Sequence, residues 1–597
     1  MIHFNSKEPF YKSPFGAIEK NTDLFLRIRV EGDRSVSSAL IYLIRDENGS
    51  ILKLEGKTAN NNSDTICEFM IRIEEIGLYF YHFEVIYEGG DTEHTPAYQL
   101  TVFSPDYETP EWLKSGVMYQ IFPDRFARSR EYEAPLQNKN YILREDWGGD
   151  PVDGPDENGI VQNNDFFGGN LRGIMEKLDY LSDLGITVLY LNPIFEAYSN
   201  HRYDTADYKK IDPLLGTEED FIELCRAAKE KGIQIILDGV FNHTGSDSVY
   251  FNKQGRYYET GAFQSKDSPY SKWFRFIEYP EKYESWWGID TLPSVNETEP
   301  SFLDYMIRSE DSVVKHWLRC GASGFRLDVA DELPDEFLEA LRSAVKEVNP
   351  DAAVIGEVWE DASNKIAYGS RRKYFLGKQL DSVMNYPLKN AIIDFLVHGR
   401  DGKKLENTVN SLWENYPKPA FSALMNILGT HDTPRIFTVL SENSRDEAYT
   451  RQRLFLAMMI LSFLPGIPCI YYGDEIGMQG GRDPSNRKCF VPESGDSAIH
   501  RYFRRLFAFR RKIQRLEDFE FRPRLSENGF YSFRREGKSG RLIIAANSGA
   551  QDYLLNLSME EGENLKDFFI SGTVSYESHG VFRIGENSGF AAYLSLF

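Results

Sequence analysis

Between residues 116 and 475, eight short apolar segments alternate with stretches of helical, amphipathic pattern such as 171–185 and 218–232. Repeated strand–helix units are typical of a parallel sheet covered by helices, because each parallel strand needs a crossover that returns the chain. Eight such units predict a closed (β/α)8 TIM barrel, in the α/β class. The predicted strands are 116–123, 186–195, 233–243, 324–330, 352–359, 381–387, 423–432 and 468–475.

The rest of the 597-residue chain has a different pattern, and the length exceeds what a single compact core supports. Residues 1–107 alternate β-rich segments with turns, which predicts an N-terminal β-sandwich. The barrel is predicted over 108–243 and 304–515, and the turn- and aromatic-rich stretch 244–303 is predicted to be an inserted excursion domain. Residues 516–597 return to short strands and predict a C-terminal all-β domain.

Composition narrows the class of partner and the compartment. A formal charge of −23 disfavours nucleic acid and other polyanions, whereas a neutral substrate is unaffected. The amino terminus has no basic start followed by an apolar run, and no stretch has the length of a membrane span, so we expect neither a signal peptide nor a membrane partner. A cytoplasmic location is expected, because the cysteines are odd in number and widely spaced, as for free thiols: Cys67, Cys225, Cys320, Cys469 and Cys489.

Polar residues gather at the predicted carboxyl ends of four barrel strands, within 238–243, 326–328, 356–359 and 429–435. An Asp or His at one strand end often only caps the following helix. Four such ends converge on one barrel mouth, which is where the chemistry of this fold takes place. Arg326 and Asp328 are two residues apart and therefore share one face of their strand.

Three carboxylates at these ends, Asp328, Glu357 and Asp432, suggest cleavage of a glycosidic bond. One carboxylate must attack or stabilise the anomeric carbon while a second protonates the leaving oxygen, so the two must differ in protonation. Arg326, one pleat from Asp328, would keep that aspartate ionised and oriented. Trp359 would either bring an apolar face to Glu357 or stack on a sugar ring.

These stretches resemble, in order, the four motifs of the alpha-amylase family, glycoside hydrolase family thirteen. The matching sequences are DGVFNH at 238–243, GFRLDVADE at 324–332, GEVW at 356–359 and GTHDTPR at 429–435. The resemblance covers roughly 116–510 and is closest to the neopullulanase, cyclomaltodextrinase and maltogenic amylase group, whose members also carry an N-terminal β domain. Stretches 199–216 and 380–388 look like those of that group.

Carried over by position, the resemblance implies that Asp328 is the nucleophile, Glu357 the general acid/base and Asp432 the transition-state stabiliser. The family is retaining, which implies a covalent glycosyl-enzyme intermediate and some capacity for transglycosylation. The implied substrate contacts are the following: Arg326, His243 and His431 around the cleaved sugar, Tyr203 stacked on its ring, Trp359 on the leaving side, and Asp483 with Arg487 at the next sugar on the non-reducing side.

The resemblance also informs the expectations about metals and partners. Relatives with a calcium site after the first strand carry Asn/Asp-rich loops there, whereas the loop 126–140 contains Arg128 and Arg130, and a later motif ends in Asn170. We therefore expect no metal in the site and no required cofactor, with a structural calcium as the alternative. The first 111 residues contain no Trp, so a homodimer formed through the N-terminal domain is favoured over glycan binding by it.

The predicted function is that of a retaining glycoside hydrolase acting on the α-1,4-glucosidic bonds of maltodextrins, cyclodextrins or pullulan, with an α-glucan oligosaccharide as its partner. A transglycosylase or an exo-α-glucosidase on the same fold is the alternative. Asp331 and Glu360 depart from the Asn and His that the group often has, so the balance of hydrolysis and transfer is left open. A non-catalytic member of the fold is disfavoured, because all three carboxylates are present.

Overall fold

The structure is a computed structural model that describes residues 1–32, 34–61, 64–135, 141–157, 159–513, 515–560, 562–578 and 580–595. The chain forms two compact units. The first consists of Met1–Thr109, Glu360–Asp381 and Val409–Ser422, and the second of Pro110–Trp359, Ser382–Thr408 and Ala423–Phe597. The domain bounds given above stay a prediction.

The first unit contains a β-sandwich, as predicted. Alternate residues of Asp23–Glu31 are buried, so Leu24 and Ile28 of one sheet share a core with Tyr81 and Phe83 of the other. The five-stranded sheet contains Ile2–His3, Lys12–Ser13, Asp23–Glu31, Lys57–Asn61 and Asp64–Arg72. The six-stranded sheet contains Ile18–Glu19, Val36–Arg45, Ile51–Glu55, Gly77–Tyr87, Thr92–His94 and Tyr98–Phe103.

Two later segments belong to the same unit as the sandwich. Within Glu360–Asp381, the strands Ile366–Ala367 and Ser370–Arg371 form a hairpin. The hairpin contacts the sandwich through an ion pair in which Arg371 Nε lies 2.8 Å from Asp46. The hydroxyl of Thr101 donates to the carbonyl of Asn415 over 2.7 Å. The compact unit is therefore larger than the contiguous N-terminal stretch.

The second unit contains the predicted barrel, with all eight strands parallel to their neighbours. The strands are β1 Met118–Ile121, β2 Val188–Leu191, β3 Gln234–Gly239, β4 Gly324–Leu327, β5 Ala353–Gly356, β6 Ser382–Val383, β7 Met425–Ile427 and β8 Ile467–Tyr471. Around the barrel their order is β6-β5-β4-β3-β2-β1-β8-β7, and a parallel bridge between Met384 and Met425 lies where the ends of the sheet meet. Seven strands lie inside their predicted segments and β8 begins one residue before its segment, so the fold prediction is confirmed.

Helices cover the barrel, and their apolar faces explain why. Glu218–Glu230 begins with a capping box between Thr217 and Asp220 and buries Phe221 and Leu224. Residues 357–381, all of them described, contain no α-helix between β5 and β6, which departs from strict strand–helix repetition. Among the described residues, the α-helices are Trp112–Ser115, Pro123–Phe126, Leu171–Glu176, Leu178–Leu184, Glu218–Glu230, Pro300–Leu303, Val313–Arg319, Asp335–Val348, Tyr386–Ile393, Gly402–Asn415, Lys418–Ser422, Ile436–Ser441, Glu447–Phe463 and Ser497–Lys512.

An excursion follows β3, as predicted. It carries the strand pair Phe276–Glu278 and Lys282–Tyr283, and its aromatic rings, among them Phe251 and Tyr283 at 4.7 Å, pack on one another. The backbone of His243, shortly after β3, forms an antiparallel bridge with Ser294 of this excursion. The excursion therefore packs beside the carboxyl end of β3.

The C-terminal strands form two antiparallel sheets around one core that includes Phe530, Ile543, Leu555 and Phe582. The five-stranded sheet contains Glu520–Glu527, Phe530–Gly537, Gly540–Asn547, Asn564–Ser571 and Ser588–Ser595, and the three-stranded sheet contains Tyr553–Asn556, Val574–Ser578 and Val581–Ile584. Across the described part of the chain, no helix has the length and apolar character needed to span a bilayer.

Candidate active site

The side chain of Arg326 at the end of β4 is fully buried and links three carboxylates. Its Nη1 lies 2.9 Å from Asp238 Oδ1 and 2.9 Å from Asp328 Oδ1, and its Nη2 lies 2.8 Å from Glu357 Oε2. A planar guanidinium with several fixed donors suits such a bridge, whereas a single ammonium does not. One cation at the end of β4 therefore draws together the ends of β3, β4 and β5.

The backbone after Asp328 is strained. Val329 has φ of +41°, a conformation that costs a β-branched residue about 1–3 kcal/mol. In this conformation its N–H donates to Glu357 Oε2 over 2.9 Å. The indole N–H of Trp359 donates to the other oxygen, Oε1, over 3.1 Å, and the Trp359 ring stacks on Tyr386 at 4.1 Å. Both oxygens of Glu357 are thus fixed relative to Asp328.

Burial raises the pKa of Asp328 well above its ordinary range, and the nearby carboxylates of Glu357 and Asp238 add to this rise. Arg326 lowers the pKa of Asp328, in the direction that the sequence predicts, but by less than burial raises it. That Arg326 keeps Asp328 ionised stays a prediction. Orientation of Asp328 by Arg326 agrees with the structure, because the two groups are 2.9 Å apart.

The hydrogen bonds of His431 after β7 define its tautomer. Its Nδ1 lies 2.9 Å from the side-chain amide of Gln120 in β1, and its Nε2 lies 2.6 Å from the hydroxyl of Tyr203. That hydroxyl in turn donates to Asp238 over 2.8 Å. The amide N–H of Gln120 leaves Nδ1 as an acceptor, so Nε2 carries the proton. Burial and the nearby cations lower the pKa of His431 well below 6.5, which keeps the ring neutral.

Asp432 lies beside that histidine at the edge of the pocket, with its side chain 31% exposed. Its Oδ2 is 3.2 Å from His431 Nε2, and its Oδ1 is 3.6 Å from Arg487 Nη2. Loss of hydration in the folded protein raises the pKa of Asp432, whereas the positive charges of Arg487 and Arg326 lower it. Arg487 also pairs with Asp483 over 3.0 Å, so the predicted pair is formed.

His243 is buried in the segment that follows β3, and one of its ring nitrogens has no partner. Its Nε2–H donates to the backbone carbonyl of Tyr203 over 3.0 Å, and its ring stacks on Trp286 at 5.3 Å. The buried Nδ1 has no partner among the described protein atoms. Burial lowers the pKa of His243 to about 4, so Nδ1 is an acceptor at neutral pH.

All ten predicted site residues are thus joined by contacts of this one site. Four further polar residues take part that the sequence analysis did not single out as site residues: Asp238, which accepts from Arg326 and two tyrosines, and Tyr190, Gln120 and Asn192. Gln120 could have been recognised from the sequence, because it places a polar amide in the otherwise apolar segment of β1. The assigned roles of the ten residues stay a proposal.

Two oxygen-bearing residues near the loop after β1, Asp124 and Asn170, already accept hydrogen bonds from protein donors. Asp124 accepts from Arg125 at 2.7 Å and from the backbone of Phe167 at 3.0 Å. Asn170 accepts from the Gly173 N–H and so caps a helix. A guanidinium and backbone N–H groups occupy the oxygens that a calcium ion would need, so these residues do not fit one. Residues 136–140 of the same predicted loop lie outside the described residues.

A (β/α)8 barrel with this carboxylate set at its mouth defines the class of protein: a TIM-barrel protein with a site of the kind that glycoside hydrolases use. Residues 120–515 match the alpha-amylase catalytic domain. The chain belongs to the alpha-amylase family.

The relatives agree with this assignment. An amylopullulanase of Thermoanaerobacterium saccharolyticum is 36% identical over 97% of this chain and 51% of its own length. A cyclomaltodextrinase of Thermoanaerobacter pseudethanolicus is 32% identical over 78% of this chain and 76% of its own. The chain spans about half the length, or less, of the first three curated relatives it matches. The solved type III pullulan hydrolase of Thermococcus kodakarensis covers 100% of both chains at 26% identity, with a TM-score of 0.71.

Proposed function

We propose that this chain is a retaining glycoside hydrolase that cleaves α-1,4-glucosidic bonds in maltodextrins, cyclodextrins or pullulan. The observation that carries the proposal is the guanidinium of Arg326, which holds Asp328 and Glu357 side by side at 2.9 and 2.8 Å. A retaining mechanism needs two carboxyl groups about 5–5.5 Å apart, with no room for a water between them and the anomeric carbon.

In the first step, a carboxylate oxygen of Asp328 attacks the anomeric carbon as the glycosidic bond breaks. Glu357 gives its proton to the departing sugar oxygen, so the leaving group is a neutral hydroxyl. The ionised form of Asp328 is the one that reacts, and Arg326, which lowers its pKa, stabilises that form. Positive charge develops on the ring of the cleaved sugar, and Asp432 faces it as an anion.

In the second step, Glu357 takes a proton from water as the water oxygen attacks the anomeric carbon of the glycosyl ester. The bond to Asp328 breaks, and the carboxylate is regenerated. A sugar hydroxyl that replaces this water gives transfer in place of hydrolysis. Product analysis on a maltooligosaccharide series separates a hydrolase from the transglycosylase or exo-glucosidase alternative.

Neutral histidines suit the binding of an uncharged sugar. The unpartnered Nδ1 of His243 can accept a hydrogen bond from a sugar hydroxyl, while the neutral His431 orients the hydroxyl of Tyr203 at 2.6 Å. Trp359, a residue that is 46% exposed, presents an aromatic face on the side of Glu357 where the leaving sugar would bind. The substrate range rests on the names of the relatives, among them cyclomaltodextrinases and a pullulan hydrolase.

We further propose that the reaction needs no cofactor or metal, that the protein is cytoplasmic, and that it forms a homodimer through its N-terminal domain. The five cysteines are free thiols, which agrees with a reducing compartment. One named relative, from Bacillus subtilis, is an intracellular maltogenic amylase. Sedimentation of the purified chain at several concentrations tests the dimer.

Two near-isosteric changes test the function. Glu357→Gln is expected to lower kcat by about 10²–10⁴-fold, which is what a general acid contributes, and Asp328→Asn by at least as much. The matched control is Glu336→Gln, an exposed carboxylate whose ion pair with Arg308 contributes little. Hydrolysis of maltoheptaose, β-cyclodextrin and pullulan is assayed in parallel. Near-normal activity of a folded Asp328→Asn protein would refute the proposal.

A further inference from the structure

Three side chains with metal-binding atoms meet on the outer helices of the barrel: Glu218, His316 and Cys320. Nothing in the proposed reaction uses them, because that site lies at the strand ends. We propose that they bind a divalent transition-metal ion of the Zn²⁺ class, with water in the remaining position.

The spacing of the donor atoms fits one ion. All three lie within 4.8 Å of one another; Nε2 of His316 is 3.0 Å from Glu218 Oε2 and 3.7 Å from Cys320 Sγ. A tetrahedral zinc site, with Zn–N of about 2.0–2.1 Å and Zn–S of about 2.3 Å, separates its ligand atoms by roughly 3.3–3.6 Å. Small side-chain rotations would therefore bring the three atoms to ligand distances.

The helical backbone holds two of the donors in register. His316 and Cys320 are four residues apart, and the Cys320 N–H donates to the His316 carbonyl over 3.0 Å, so both side chains project from the same face. Between them, the indole N–H of Trp317 donates to the Tyr208 carbonyl over 2.8 Å and fixes the rotation of this helix. Glu218 stands in the first turn of a second helix, Glu218–Glu230.

The charges around the three donors favour a cation. Lys315 and Arg319, the other basic residues of this helix segment, form ion pairs with Glu310 instead. By contrast, the carboxylate of Asp124 after β1 already pairs with a cationic side chain of the protein, that of Arg125. The side chains of Glu218 and His316 are 40% and 31% exposed, so an ion can reach them.

The chemistry of the donors selects the metal. A thiolate and an imidazole are ligands for Zn²⁺ and similar ions, whereas Mg²⁺ and Ca²⁺ prefer sites made of oxygen. A bound ion would link the helix that follows β2 to the helix that precedes β4. It would stabilise the folded protein by mass action and would not act on the substrate.

Cobalt provides a direct test, because a Co²⁺–thiolate bond gives a sulfur-to-metal absorption band. The metal-free full chain is titrated with Co²⁺ and then with Zn²⁺, and its Tm is measured with Zn²⁺, Ca²⁺ or no metal. We expect one equivalent of Co²⁺ to give the band, Zn²⁺ to displace it, and Zn²⁺ alone to raise the Tm. Cys320→Ser should lose the band, and His316→Gln should weaken Zn²⁺ binding by at least 10-fold.

Cys225→Ser is the matched control. Cys225 is a buried thiol on the same helix as Glu218, Glu218–Glu230, and is not one of the three donors. This variant should keep the band and the Tm shift. A wild-type chain without the band, a band that survives in Cys320→Ser, or a band lost in the control would each overturn the proposal. If Cys320→Ser fails to fold, Glu218→Gln replaces it, with a weaker Tm shift expected and an unchanged shift counting against the site.

Discussion

Replacing Arg326 by Met removes the cation from three buried carboxylates while keeping most of the side-chain volume. Removing one partner of a buried ion pair typically costs about 3–5 kcal/mol, because the other charge is left uncompensated. With an unfolding entropy of about 2.1 cal/mol/K per residue, this loss lowers the Tm of a unit of this size by about 3–5 °C. We also expect kcat to fall, since Asp328 and Glu357 lose the group that orients both.

The loss should depend on pH. Arg326 opposes a rise in the pKa of Asp328 that burial already causes, so in Arg326→Met this pKa rises further. A carboxyl group with a raised pKa binds its proton more tightly when folded, so its contribution to stability is present at low pH and is lost as pH rises through the folded pKa. The difference in Tm between wild type and variant should therefore widen from pH 4 to pH 8.

Scanning calorimetry at several pH values, together with kcat on maltoheptaose, measures both effects. Arg510→Met is the control: its guanidinium is buried but donates to backbone carbonyls, among them Ser115 and Gly466. It should lower the Tm without a comparable loss of kcat and with little dependence on pH. An Arg326→Met protein with wild-type kcat, or with a Tm difference that narrows as pH rises, would refute the reasoning.

Two further predictions concern metal and pH. Adding Ca²⁺ to metal-free protein should leave the Tm and activity unchanged, because Arg125 and backbone N–H groups occupy Asp124 after β1; a rise of many degrees in a thermal scan would contradict this. The pKa of His243, lowered to about 4, means that wild type loses about 3 kcal/mol as pH falls from about 6.5 to 4, since the unfolded chain binds the proton more readily. His243→Asn should lose less stability over that range, and an identical Tm–pH slope would argue against the assignment.

The barrel could be predicted from sequence because its strands are continuous apolar runs separated by amphipathic helices. The exception is the connection after β5, where residues 357–381 carry no helix and Glu360–Asp381 joins the unit of the sandwich. Its contacts, such as that of Arg371 with Asp46, join residues far apart in the chain. Local pattern carries no information about such pairs.

That the ten residues lie together could be predicted from the sequence, but their geometry could not. Strand-end position and the family motifs identify Asp328 and Glu357, yet neither shows that one guanidinium bridges them. The left-handed backbone of Val329 is also invisible in the sequence, since a β-branched residue is among the least expected there. The pKa of Asp328 is shifted upward mainly by burial, and only the folded barrel determines how buried this residue is.

The central claim is that Asp328 attacks the anomeric carbon directly, beside Glu357. The most direct test is the anomeric form of the first product, followed by proton NMR in the opening minutes of maltoheptaose or β-cyclodextrin hydrolysis, before mutarotation. Two displacements at one carbon preserve its configuration, so the account predicts that the α-anomer appears first. Initial release of the β-anomer would mean a single displacement by water, and Asp328 could not then be the nucleophile.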